Sequence, residues 1–170
     1  MIGTAHTRSA TVRRLALAGA LVASLIPALV VGSPPVATAA GTTELLMSEY
    51  IEGSSFNKAI EIYNGTGAAI DLAAGSYALE LYSNGAATVS QSMVLSGTIL
   101  DGDVLVVAHP LADAAILAAA DVTSGSVINF NGDDAVVLRK GGIVIDAFGQ
   151  IGFRPSNQWP GGGQDDTLRR

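Results

Sequence analysis

From Thr43 onward, glycine, asparagine and aspartate cut the chain into short apolar segments, and this punctuation limits what it can fold into. ELLMSEYI, KAIEIYN, YALELYS, SMVLSG and DVLVVAH are short and rich in β-branched, aromatic or leucine side chains, which is the composition of strands. Alternation puts Ile60 and Ile62 on one face of their segment, with Glu61, Tyr63 and the preceding Lys58 assigned to the polar and amphipathic positions. Tyr77, Leu79 and Leu81 point one way from the next segment, Glu80 and Tyr82 the other. Asn64-Gly65, Asn84-Gly85, Asp101-Gly102 and Asn131-Gly132 supply residues that tolerate positive φ. VINF, DAVVLRK and GIVIDAFGQ follow, and Lys140-Gly141 or Gly141-Gly142 is a two-residue hairpin signal between the last two. About eight short strands at this spacing predict an all-β chain folded as a sandwich or related barrel.

Residues 110–121, PLADAAILAAAD, break the pattern. They are alanine-rich, open on a proline that a helical first turn accepts, and predict one short inserted helix with Leu111, Ala115 and Ala118 or Ala119 toward the sheet. The tail IGFRPSNQWPGGGQDD is irregular, and TLRR then opens a strand-like segment that stops at once, so more chain is expected beyond Arg170.

The N-terminal end has a different character. Arg8, Arg13 and Arg14 precede the apolar run LALAGALVASLIPALVV, and Ala37-Thr38-Ala39 has the small residues of a cleavage site. Residues 1–39 are therefore expected to be a signal peptide, and residues 40–170 a single exported domain with no membrane span. Arg13-Arg14 also leaves twin-arginine export open beside the general route. After cleavage six basic residues face fifteen acidic ones, a formal charge of −9, which disfavours direct nucleic-acid binding. The absence of cysteine removes a disulfide framework, thiolate metal sites and a cysteine nucleophile. No cofactor is expected.

Three stretches together resemble a known family: LLMSEYIEGSSFNKAIEIYN; then ALELYSNG with LSGTILDGDVLVVAH; then FNGDDAVVLRKGGIVIDAFGQIG. In order and spacing they look like the bacterial lamin tail domain, and the likeness extends from about Glu44 to Arg170. It implies an immunoglobulin-like β-sandwich, in agreement with the strand reading. It also implies a setting, because such domains in exported bacterial proteins often precede a nuclease or phosphoesterase module of the endonuclease/exonuclease/phosphatase type. It brings no catalytic residues with it.

The candidate sites are few. Glu49, Glu52 and Glu61 are read as outward-facing strand or turn residues, with Ser54 and Asn57 holding the turn between them by local hydrogen bonds; their weaker reading is a calcium site. Asp133 and Asp134 are read as a strand-opening turn in which Asp133 bonds backbone amides, again with calcium as the weaker reading. His109 lacks an oriented carboxylate and nucleophile in any catalytic pattern. Phe153, Arg154 and Trp159 are the binding candidates, since an exposed indole beside a guanidinium stacks on sugars, bases or protein; the competing reading has Trp159 plugging one end of the sandwich. The expectation is a non-catalytic secreted binding or positioning module. Its partner would be a protein or surface, including a catalytic module of its own chain, and the alternative is a calcium-stabilised adhesion-type domain.

Overall fold

The computed structural model describes residues 41–170, so the leader expected over residues 1–39 lies outside the described residues. Two sheets pack face to face. One is formed by β1 (Leu46–Glu52), β2 (Lys58–Tyr63), β7 (Val104–Ala108), β8 (Val122–Thr123) and β11 (Asp166–Arg169), in the order β11-β1-β2-β7-β8. The other is formed by β4 (Tyr77–Tyr82), β5 (Gln91–Val94), β9 (Ala135–Lys140) and β10 (Ile143–Phe148), in the order β10-β9-β4-β5. A two-stranded ribbon of β3 (Ile70–Asp71) and β6 (Thr98–Ile99) completes the strands, and β7 with β8 is the parallel pair among antiparallel ones.

The alternation read from sequence is the alternation that packs. Ile60, Ile62 and Val107 from one sheet meet Leu79, Leu81, Val136 and Leu138 from the other, all buried. Each such side chain contributes about 1.5–3 kcal/mol by leaving water. Tyr50 lies between Phe130 and Phe148, with ring centroids at 4.7 and 3.8 Å. Lys140 pairs with Ile143 across Gly141 and Gly142, whose φ values of 54° and 83° make this the two-residue hairpin.

Two features differ from the sequence expectation. The register of β1 against β2 shifts between Met47 and Glu49, so Ser48 is an extra residue and both Met47 and Tyr50 face inward. The Met47 amide at the bulge donates instead to Asp146 Oδ2 on the other sheet, at 2.7 Å. The helix is shorter than residues 110–121. As α1 it covers Ala114–Ala119 with Asp113 at its N-cap, because the residues before it close a turn from the Ala112 amide to the His109 carbonyl. That turn reverses the expected facing: Leu111 is 65% exposed and Ala112 is buried. The strand read at TLRR is present: Asp166–Arg169 form β11, which pairs antiparallel with β1.

The irregular segment before β11 is laid against the Asn131–Asp134 turn. A Cβ on Gly132 would stand 2.6 Å from the Gly163 carbonyl carbon, so only glycine permits this approach. The Trp159 amide donates to Gly132 O at 3.0 Å, and the Tyr50 hydroxyl donates to Gly163 O at 3.2 Å.

Candidate functional site

The structure separates the three glutamates of the opening strands. Glu49 and Glu61 sit opposite each other on the outer face of the five-stranded sheet, in a cross-strand row running Arg169, Glu49, Glu61, Val106. Like charges directly opposite are unfavourable, and two neighbours relieve this pair. Arg169 Nε donates to Glu49 Oε1 at 2.9 Å, and Ser48 Oγ donates to Glu61 Oε1 at 2.7 Å. The next row, Thr167, Ile51, Ala59 and Ala108, is apolar at its centre. Helix α1 lies along this face, and between them is a cleft of about 280 Å³ lined by Ile51, Ala59, Val106, Ala115, Ile116 and Ala119, with Glu49, Glu61 and Arg169 contributing the charge.

Glu52 is elsewhere. Neither it nor Lys58 is a surface residue: both are buried, facing into the sandwich, and joined in an ion pair. Glu52 Oε2 also accepts the Asp165 amide at 2.8 Å, and Lys58 Nζ is 6.0 Å from the Phe130 ring centroid. Strand parity contains the missed signal, since Lys58 is in phase with Ile60 and Ile62. Asn57 also acts at longer range than expected. Its side chain exchanges hydrogen bonds with Asp113, both at 2.8 Å, tying the β1–β2 turn to the start of α1, while the turn's local bonds are backbone ones.

At the Asn131–Asp134 turn the expected roles of the two aspartates are exchanged. Asp134, not Asp133, holds backbone: its carboxylate accepts the Asn84 amide at 2.6 Å and the Asn131 amide at 2.8 Å. Burial pushes its pKa above the ordinary carboxylate value, against the lowering effect of those amides. Asp133 faces outward and accepts Arg154 Nε at 2.6 Å. Arg154 is thus already engaged within the domain. Trp159 donates its indole N–H to Asp134 O at 2.7 Å and packs over Gly149, a half-buried cover on this end of the sandwich. Phe153 lies 5.8 Å from the indole, centroid to centroid, and stays half-exposed. The structure therefore brings Phe153, Arg154 and Trp159 together with Asp133 and Asp134. Among the described residues no three histidine, aspartate or glutamate side chains converge as a metal-ligand set.

His109 is buried, stacked on Phe56 at 4.4 Å, and its Nδ1 accepts the Leu111 amide at 3.1 Å. Burial, aided by the nearby Lys58 charge, lowers its pKa from 6.5, so the folded domain holds it neutral. The stability it contributes is complete above the unfolded value near 6.5 and is lost as pH falls through the lower folded value. Thermal melts of wild type and His109→Gln between about pH 7.5 and about pH 5 are expected to differ in slope, the variant being the flatter. Parallel curves would show that His109 does not titrate with folding.

These assignments leave a β-sandwich in which Glu49, Glu52, Glu61, Asp133, Asp134 and the single described histidine are engaged in bonds within the domain, with an open cleft on one sheet. Neither the curated proteins nor the solved structures give a match to the chain. A family model described as Lamin Tail Domain matches residues 38–152, which includes the glutamate strands, the helix and the Asp133-Asp134 turn but leaves the Trp159 segment and β11 outside. With that match over most of its length and the immunoglobulin-like sandwich beneath it, the chain belongs to the lamin tail domain family, a non-catalytic class of binding module.

Proposed function

We propose that the chain is an exported binding and positioning module that serves at the N-terminal side of a larger secreted nuclease or phosphoesterase. The observation that carries the module reading is the contrast between the internally bonded acid and histidine side chains and the open cleft beside α1. Support for export comes from the basic, apolar and small-residue succession over residues 1–39. Support for the nuclease setting comes from the company that bacterial lamin tail domains keep.

The tests are direct. Protein recovered from culture medium is expected to begin at Ala40, and the purified protein to leave phosphodiester and phosphomonoester substrates intact. The DNA following the Arg170 codon is expected to encode, in frame, paired histidines and acidic residues. Retention of the leader inside the cell would end the export reading, and hydrolysis by this chain would end the non-catalytic one. A melting midpoint unchanged by a chelator is also expected; a calcium-dependent rise would favour an ion-stabilised adhesion-type domain, since a ligand of the folded state alone stabilises it by mass action.

A further inference from the structure

We propose that the cleft between α1 and the outer face of β1, β2 and β7 binds a lysine or arginine side chain presented by an extended basic segment of a partner protein. This deepens the binding-module reading and rests on it. At about 280 Å³ the space is at the lower limit of pockets that enclose a small molecule, and fits one long side chain. Its floor of Ile51, Ala59, Val106, Ala115 and Ala119 suits the aliphatic stem that lysine and arginine lay on apolar surface while the charged head stays polar.

The head group would meet Glu61 and Glu49. All six basic residues of the described domain are paired with carboxylates, and none is paired with Glu61, whose hydrogen-bonded partner is the Ser48 hydroxyl. Glu49 already shows the chemistry, since a guanidinium from the chain's own tail sits on it. That Arg169 side chain is 75% exposed, so the pair is open to solvent and to exchange. The net acidity of the domain adds long-range attraction for a basic partner.

The test uses isotope-labelled protein and the peptide acetyl-Leu-Arg-Lys-Leu-amide, with acetyl-Leu-Glu-Glu-Leu-amide as its acidic counterpart. The expected result is saturable NMR shifts at Ile51, Ala59, Val106 and Ala119 with the basic peptide and none with the acidic one. Glu61→Gln should weaken binding by about tenfold or more, and added salt should weaken it further. Ala119→Trp should block the cleft with both carboxylates in place, which separates occupancy of the cleft from attraction to charge. Melting midpoints near wild type would show that both variants are folded. Absence of saturable shifts in the wild type overturns the proposal. So do shifts that persist unchanged in both variants, the signature of diffuse attraction to an acidic surface. Either failure is distinguishable from failure of the broader function, because that is tested by export, processing and the lack of hydrolysis, none of which the peptide reports.

Discussion

Denaturant titration of Lys58→Met is expected to show a loss of about 3–5 kcal/mol, the cost of leaving one member of a buried ion pair without its partner. Domains of this size hold only about 5–15 kcal/mol in all, so this substitution uses much of the margin. The cause is Glu52, which stays buried beside Tyr50 with only the Asp165 amide as a described hydrogen-bond partner. Removing both charges should be milder than removing one. Glu52→Leu with Lys58→Met replaces the pair by apolar surface, and such exchanges are often neutral or stabilising. Here some loss will remain, because the Asp165 amide is left without its acceptor. A single-variant cost under about 1 kcal/mol would mean that water reaches the pair and that it behaves as a surface ion pair.

Asp134→Ala is expected to cost about 3–5 kcal/mol, because two backbone amides bonded to one carboxylate are orphaned together. Asn84, held at a φ of 55° next to this carboxylate, loses its tether as well. Asp134→Asn should fall between wild type and Asp134→Ala, since the amide keeps one acceptor oxygen of two. The chain has one tryptophan, and its indole donates to the main-chain oxygen of the same residue. Trp159 fluorescence therefore reads the turn directly. A red-shifted emission in Asp134→Ala below the unfolding transition would show the tail lifting from its seat. Unchanged emission together with unchanged stability would show that the carboxylate is dispensable there.

The sandwich was legible because its signals are local. Alternation in KAIEIYN and YALELYS, and two glycines free to take positive φ, need no knowledge of the rest of the chain. Lys58 and Glu52 read as surface residues for a physical reason: charge argues for the surface, and only a partner brought over by the next strand lets strand parity win. The bulge at Ser48 puts Met47 and Tyr50, three residues apart, on one face, and the apolar Leu46 and Ile51 beside them hide that break in the alternation. Helical spacing counted from Pro110 turns Leu111 toward the sheet, whereas the helix starts at Ala114. The cleft was invisible for the opposite reason. Alanines read as helix formers, and it is their small size against the sheet that leaves room beside Glu61. The seat of Trp159 depends on glycines thirty-one residues apart meeting at Gly132 and Gly163, a long-range contact with no periodicity to announce it.

Strand β11 also sets how the domain answers to force. The Arg170 amide bonds Ser48 O at 3.0 Å, near the start of β1, so the described chain enters the five-stranded sheet and leaves it at one corner. Tension drawing those two points apart loads the ladder at its open end, where rungs break singly and in turn, instead of along its length, where they would resist together. The first bonds to yield are those that keep Arg169 over Glu49 and Arg170 on Asp146. A module of this build would give up its tail under load while the sandwich behind it is still closed.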